Sequence, residues 1–163
     1  MKSALKYLLP VMAAFVGLGW AGCTDPAAVI DQNTEIVNNN WAYTNKINHT
    51  VKIDNEQIAY NLYFNLRVTG DYKYSNLFVL VHQTNPDKKT TTTRYELKLA
   101  NADGEWLGQG SGNLYSFQIP FKLDYKFPAK GTYIFQIEQN MRDNPLREIS
   151  DVGLRVEKAE KAN

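Results

Sequence analysis

From Trp41 onward, apolar and polar side chains alternate with a period of two, and no stretch shows the 3.6-residue period of an amphipathic helix. The clearest run has apolar residues at every second position, namely Leu62, Phe64, Leu66 and Val68. Between them stand Tyr63, Asn65 and Arg67. This run predicts a strand with one face in a core and the other against polar surroundings.

Further strand-forming runs follow at short intervals, and turn-forming residues separate them. The other runs that we predict as strands are 51–53, 77–81, 95–99, 114–123, 132–137 and 152–156. Turn dipeptides such as Asp103-Gly104 and Lys130-Gly131 lie between them. The pattern predicts an all-β fold, an antiparallel β-sandwich of about eight strands with jelly-roll or Ig-like Greek-key connections.

The N-terminus has the three parts of a bacterial export signal. Two lysines are followed by an apolar run of about a dozen residues, whereas a membrane-spanning helix needs about 20. Ala21 and Gly22 then precede Cys23, the only cysteine of the chain. We predict a signal peptide over 1–22 and a lipid-bearing Cys23, as in the lipobox of bacterial lipoproteins. The alternative is a secreted protein with a chance cysteine.

Composition divides the rest of the chain into three parts. Residues 23–40 contain Pro26 and a run of three asparagines without periodicity, which predicts a flexible tether after the lipidated Cys23. Residues 41–158 contain all the strand-forming runs, and their number suits one β-sandwich domain with a single core. The charged residues 159–163 are expected to form a frayed tail.

Charge and composition argue against several classes of function. The formal net charge is +1 with both signs interspersed, so we expect no binding of nucleic acid. The two histidines, His49 and His82, fall on different predicted strands, which predicts no metal site and no cofactor. Gln109 stands where a nucleophile elbow around Ser111 needs glycine, so 108–112 is expected to be a connection between strands. We predict no catalytic residue and no enzyme, although a lipid-tethered hydrolase with converging carboxylates remains an alternative.

Tyrosine and tryptophan occur at positions where a turn exposes side chains. Tyr and Trp are enriched at protein recognition surfaces, and their rings also stack on sugars. The residues that we predict to bind a partner are Arg67, Asp71, Tyr72, Tyr74 and Trp106. The alternative is that the aromatic residues cap the ends of the sandwich or fill its core.

Several blocks of sequence, in order along the mature chain, resemble one protein family. The blocks are 60–67 (YNLYFNLR), 71–78 (DYKYSNLF), 103–110 (DGEWLGQG), 137–142 (IEQNMR) and 151–155 (DVGLR). They resemble the gliding-motility lipoprotein GldH family of the Bacteroidota. The resemblance implies an outer-membrane lipoprotein associated with gliding motility and type IX secretion. It carries over no catalytic residue, only the acylated cysteine at Cys23.

Two functions follow as expectations. The first is a non-enzymatic accessory subunit, anchored to the outer membrane through Cys23 and facing the periplasm, that binds an outer-membrane or periplasmic protein complex. The second is a glycan-binding β-sandwich, for which Trp106 and the tyrosines must form a planar stacking platform.

Overall fold

The structure is a computed structural model that describes residues 25–160. Its elements are eleven strands and one short 3-10 turn, Val37–Asn39. The strands are β1 (Ala28–Glu35), β2 (Asn40–Trp41), β3 (Ile47–Ile53), β4 (Tyr60–Thr69), β5 (Asn76–Thr84), β6 (Thr90–Lys98), β7 (Gln109–Ser111), β8 (Leu114–Tyr125), β9 (Gly131–Gln139), β10 (Leu146–Arg147) and β11 (Ile149–Lys158). Among these residues, none forms a helix long and apolar enough to cross a membrane.

Two antiparallel sheets make up the sandwich. One sheet has five strands in the order β1-β11-β4-β8-β7, and the other has four in the order β3-β9-β5-β6. A two-stranded ribbon of β2 and β10 closes one end. The predicted antiparallel β-sandwich is confirmed. The strand count exceeds the expected eight or so, because β2, β7 and β10 have only two or three residues and cannot show a period, and because β1 shows no alternation.

The core lies between the two sheets, and strand parity places its residues there. In β3 every second residue is buried, from Ile47 to Ile53, because side chains on a strand point alternately to opposite faces. The largest fully buried side chains are aromatic: Trp41, Tyr60, Phe64, Phe127, Tyr133 and Phe135. Trp41 and Tyr60 therefore belong to the core, not to an exposed aromatic surface.

The predicted tether over 23–40 is wrong from Ala28 onward. Residues Ala28–Glu35 form β1, which pairs with β11 from Glu157 to Asp151 at the edge of the five-stranded sheet. Ile36, the residue after this strand, is 1% exposed. The strand was missed because an edge strand needs only one partner, and AVIDQNTE shows no alternation. The folded domain thus begins well before Trp41.

Other predicted boundaries fall near or outside the described residues. The signal peptide 1–22 and Cys23 lie outside them. In the predicted frayed tail, the amide of Ala159 donates to the carbonyl oxygen of Ala59 at 2.9 Å, so this residue is held by the domain. Residues 161–163 lie outside the described range.

The sandwich has two opposite ends, which we name by a residue at each. The Asp25 end carries the start of β1 and the loops 54–59, 85–89 and 126–130. The Trp41 end carries the loops 70–75, 99–108 and 140–145 together with the ribbon of β2 and β10. These ends are about 30 Å apart, since β4 has ten residues and each rises about 3.3 Å.

Candidate functional site: a polar groove on the five-stranded sheet

A polar groove of about 700 Å³ lies on the outer face of the five-stranded sheet. Its floor consists of outward side chains from β1, β11, β4 and β8, and its wall includes Lys98 and Leu107. The polar lining residues are Asp31, Asn33, Asn65, Arg67, Lys98, Gln109, Ser116, Gln118 and Asp151. A polar lining of this kind provides hydrogen bonds that orient a ligand or a partner.

Strand register brings the groove residues together in rows. Arg67 of β4 lies opposite Asp151 of β11 on one side and Ser116 of β8 on the other. One step along the same face, Asn65 lies opposite Gln118. Because residues i and i+2 of a strand share a face, Asn65 and Arg67 lie together in the middle of the groove floor.

Arg67 is held by an ion pair across β4 and β11. Its Nη2 donates to Oδ1 of Asp151 at 2.7 Å, and the Asp151 residue is only 7% exposed. The Oγ of Ser150 donates to the other carboxylate oxygen. The Arg67 side chain itself is 43% exposed, while its Nε is buried and makes no hydrogen bond to the described residues. The guanidinium group therefore has its charge balanced but part of its hydrogen-bonding capacity unused.

The amide of Asn65 connects three strands. Its Nδ2 donates to Oδ1 of Asp31 in β1 at 2.6 Å, and its Oδ1 accepts from Nε2 of Gln118 in β8 at 3.2 Å. Asn65 is nearly buried although it points away from the core. The network fixes the amide orientation, so the floor of the groove is preorganised.

Arg155 gathers three carboxylates at the Asp25 end of the groove. Its guanidinium group donates to Asp31 at 2.8 Å, to Glu157 and to Asp25. Tyr63 donates its hydroxyl hydrogen to the same Glu157 at 2.9 Å. The hydrogen bond from Arg155 holds the pKa of Asp25 below its usual value, and these acceptors raise the pKa of Arg155. One guanidinium group thus holds three carboxylates and offsets one of their three negative charges.

Gly153 lets β1 approach the middle of this face. It lies opposite Asn33 of β1, and a β carbon there would overlap with Oδ1 of Asn33 and with the carbonyl oxygen of Gln32. Only a residue without a side chain fits this contact. The block 151–155 therefore has three functions at alternate positions. Asp151 pairs with Arg67, Gly153 allows close contact with β1, and Arg155 binds carboxylates.

The predicted partner-binding residues do not form one site. Only Arg67 lines the groove. Asp71 and Tyr74 line a second cavity of about 320 Å³ at the Trp41 end, where Tyr74 donates to Asp143 at 2.9 Å and Lys73 pairs with it at 2.6 Å. These two donors hold the pKa of Asp143 below its usual value.

Tyr72 is a core residue, so its predicted role in direct partner contact is wrong. It is 4% exposed, and its hydroxyl donates to the carbonyl oxygen of Asn76 at 3.0 Å. Burial raises the pKa of its phenol. Tyr72, Tyr74 and Asn76 stand at alternate positions in the sequence, as on one face of a strand. The turn between β4 and β5 breaks this pattern, so the ring of Tyr72 is buried and that of Tyr74 is only partly buried.

Trp106 lies in the loop that leads to β7 and packs beside the groove wall. Its ring lies 5.2 Å from that of Tyr115 at an angle of 31°, and 6.5 Å from Phe117. Trp106 is half-buried, whereas its neighbour Leu107 is 55% exposed. The stacking platform expected for a glycan-binding site thus lacks Tyr72, and Trp106 does not line the groove.

Sequence analysis missed most of the groove. Its central residues besides Arg67 are Asp31, Asn65, Gln118 and Asp151. In 62–68 and in 151–155, polar residues or glycine recur at every second position, and this pattern would have indicated an outward polar face on two strands. Their pairing was not predictable, since Arg67 and Asp151 are 84 positions apart.

The chemistry available in the groove is hydrogen bonding and charge pairing. Within residues 25–160, no group of three or more His, Cys, Asp or Glu side chains is arranged to hold a metal ion. The segment 108–112 contains β7, which pairs with β8, and Gly112 turns the chain with a φ of 61°. Fold and site together define a two-sheet antiparallel β-sandwich with a preorganised polar groove on one outer face.

Comparison with known proteins identifies the family. The profile of the GldH lipoprotein family matches residues 28–156. The gliding motility lipoprotein GldH homolog of Christiangramia forsetii is 33% identical over 167 residues, covering 98% of this chain and 99% of that protein. The gliding motility lipoprotein GldH of Flavobacterium johnsoniae is 35% identical over 105 residues, which is 60% of this chain and 65% of that protein.

This chain therefore belongs to the GldH lipoprotein family. It is a lipid-anchored gliding-motility lipoprotein, and the resemblance found in its sequence blocks is confirmed.

Proposed function

We propose that this protein is a non-enzymatic accessory lipoprotein of the outer membrane. It is acylated at Cys23, faces the periplasm and binds a protein of the machinery for gliding and type IX secretion. The observation that carries the proposal is the preorganised polar groove, whose floor is held by hydrogen bonds between β1, β4, β8 and β11.

Lys98 on the wall of the groove favours a partner that offers a carboxylate. Asp31 and Asp151 are already paired with Arg155 and Arg67. Lys98 on the wall makes no salt bridge to the residues that the structure describes, and the Arg67 side chain is 43% exposed. An acidic side chain placed beside Lys98 would meet a cation whose charge no carboxylate of residues 25–160 balances, with the donors of Arg67 nearby.

The rim of the groove supplies an apolar contact. Leu107, with 55% of its surface exposed, stands beside Lys98 on the wall. Protein interfaces combine such an apolar contact with a polar rim, and a stable one buries about 800 Å² on each partner. The groove and Leu107 together supply the centre of such an interface.

A pull-down from native membranes tests this binding mode. Wild-type protein is expected to recover an outer-membrane or periplasmic protein, and Lys98→Glu combined with Leu107→Ala is expected to lose it. The matched control is Lys52→Glu, because Lys52 is an exposed lysine on β3, at the opposite edge of the four-stranded sheet from β6 and Lys98. Recovery of the protein alone, or equal recovery by the groove variant, contradicts the proposal.

Mass analysis of the mature protein tests the anchor separately. A mature chain that begins at Cys23 and carries fatty acids is expected, and Cys23→Ser is expected to stay unprocessed and without lipid. An unmodified mature N-terminus refutes acylation while leaving the binding experiment unaffected.

A glycan is the second candidate ligand, and one observation favours it. Amides of Asn33, Asn65, Gln109 and Gln118 line the groove and can bind sugar hydroxyl groups. A glycan array that includes bacterial envelope polysaccharides distinguishes the two candidates. Binding that is lost in Gln118→Ala favours the glycan.

A further inference from the structure

We infer that the segment after Cys23 is a short strap, and that it holds the Asp25 end of the sandwich against the layer of lipid headgroups. The inference rests on the acylation of Cys23 in the proposed function. It adds which surface of the domain meets the membrane and which end points away from it.

The strap is fixed to the sheet from Asp25 onward. The carboxylate of Asp25 pairs with Nη2 of Arg155, and its Oδ1 also accepts the amide hydrogen of Ala27 at 3.0 Å. The amide of Ala28 donates to the carbonyl oxygen of Asp25 at 3.1 Å, and the amide of Lys158 donates to that of Ala27 at 3.0 Å. These contacts tie the start of the domain to β11.

The anchor point for Asp25 is itself rigid. The Arg155 side chain is 13% exposed and is clamped by Asp31 at 2.8 Å and by Glu157 at 2.6 Å. An arginine held by several carboxylates loses little further freedom on binding another. The ion pair with Asp25 therefore restrains the strap more firmly than a pair between two free surface side chains.

Chain length then limits the distance between domain and membrane. A single residue, Thr24, separates Cys23 from Asp25, so their Cα atoms are at most about 7 Å apart. The headgroup region on each side of a bilayer is roughly 5–8 Å thick, the difference between its total and hydrocarbon thickness. With the acyl chains of Cys23 in the hydrocarbon, Asp25 lies within or just above the headgroups.

The loops beside Asp25 consequently face the lipid surface. Exposed residues in the loops 54–59, 85–89 and 126–130 contact headgroups, whereas the Trp41 end stands about 30 Å further out. The groove then opens sideways along the membrane plane. The cavity of Asp71 and Tyr74 faces away from the membrane.

Charge does not determine this orientation. The three loops near the lipid surface hold four lysines, Lys88, Lys89, Lys126 and Lys130, against Asp54, Glu56 and Asp87. An excess of one positive charge gives the Asp25 end no strong basic field for anionic lipid. We therefore expect the same orientation on neutral and on anionic vesicles. This expectation separates a strap from electrostatic docking.

Site-specific quenching measures the orientation in the full acylated protein. Because acylation consumes Cys23, an introduced cysteine is the only free thiol. Lys130→Cys places a fluorophore at the Asp25 end and Ala102→Cys places one at the Trp41 end, both at exposed positions. In phosphatidylcholine vesicles with headgroup-nitroxide lipid, we expect quenching at 130 to exceed that at 102 at least about threefold, because contact quenching does not reach across about 30 Å.

Asp25→Asn tests the strap itself. Asp25 precedes the first strand and its side chain is 45% exposed, so the variant is expected to fold. Its quenching ratio should fall, because loss of the ion pair with Arg155 frees Asp25 and Pro26, while the backbone bond between Ala27 and Lys158 remains. Asp103→Asn, an exposed carboxylate in the loop 99–108, is the matched control and should keep the wild-type ratio.

The outcomes are separable from those of the proposed function. Only protein whose mass shows the acyl chains is reconstituted, so absent acylation is detected before any quenching is measured. Equal quenching at the two positions refutes the orientation, and so does stronger quenching at 102. An unchanged ratio in Asp25→Asn refutes the strap, and a ratio that appears only with anionic lipid assigns the orientation to charge.

Discussion

Arg67 and Asp151 face each other across β4 and β11, with Nη2 of Arg67 2.7 Å from Oδ1 of Asp151. We expect Arg67→Ala to lower the free energy of unfolding by about 2 kcal/mol, because it leaves a nearly buried carboxylate without its charged partner. Urea unfolding of Arg67→Ala, Asp151→Ala and the double variant measures the coupling, which we expect to be about 1 kcal/mol.

Additive effects of the two single variants would contradict this pair as an energetic unit. Lys52→Ala serves as control, because Lys52 pairs with Asp54 where both side chains are more than three-quarters exposed. Such a pair contributes less than about 1 kcal/mol.

Replacement of Gly153 by Ala should loosen β1. The added methyl group has no room against Asn33 and Gln32, so β1 or β11 must shift. We expect a loss of about 2 kcal/mol of unfolding free energy, as for other overpacked sites. Faster hydrogen exchange of the β1 amides than in the wild type should accompany it.

Gly110→Ala is the matched control for that variant. Gly110 lies in the edge strand β7, and an added methyl group would meet only the ring of Tyr115, at 3.3 Å, which can turn away. If Gly153→Ala proves as stable as Gly110→Ala, β1 does not depend on close contact at Gly153.

The free energy of unfolding should decrease as the pH is lowered, because His49 is buried. This residue is 3% exposed, its Nε2 has no hydrogen-bond partner within 25–160, and burial lowers the pKa of its imidazole. In the unfolded chain the pKa is near 6.5, so below that pH the unfolded state binds the proton first. Unfolding free energy should therefore be constant above about pH 6.5 and decline by up to about 1.4 kcal/mol per pH unit below it.

His49→Leu should remove this decline, since the buried group no longer titrates. Unfolding curves of both proteins between about pH 7.5 and 5.5 cover the window, above the ordinary pKa values of the carboxylates. His82 is present in both proteins, so their difference isolates His49. Parallel pH profiles would show that His49 is protonated equally in both states.

Tyr72→Ala should act on the fold. Removal of a buried aromatic ring costs about 3–5 kcal/mol through lost packing and a residual cavity, whereas Tyr72→Phe loses one hydrogen bond worth about 1 kcal/mol. Thermal unfolding ranks the two variants against Tyr43→Ala, whose ring is 46% exposed and whose loss should cost about 0.5 kcal/mol or less. A Tyr72→Ala protein as stable as Tyr43→Ala would place Tyr72 outside the core.

Local pattern was enough to predict the strands of the sandwich core. β3 and the first part of β4 alternate in burial as their sequences alternate in polarity, because the period of two is a property of the strand itself. β5 was indicated instead by its continuous apolar run, 77–81. Pattern failed at β1 and at the shortest strands. An edge strand with polar residues on both sides carries no local signal, and its hydrogen bonds come from β11, more than a hundred residues away.

For the candidate site too, the sequence predicted single residues but not how they come together. Arg67 was predicted from its block, but its role depends on Asp151, Asn65 and Gln118, which meet only after β4 pairs with β11 and β8. Tyr72 and Tyr74 looked alike in the sequence, yet the turn at 70–75 buries the first ring and leaves the second partly exposed.

The sequence by itself determined the strand-forming positions, the all-β class and, through its blocks, the GldH family. Tertiary structure alone decided that polar positions of four strands share one groove and that Asp25 is tied to Arg155, 130 positions away. The physical reason is that side-chain periodicity is encoded locally, whereas the order and register of strands depend on hydrogen bonds and packing between distant segments.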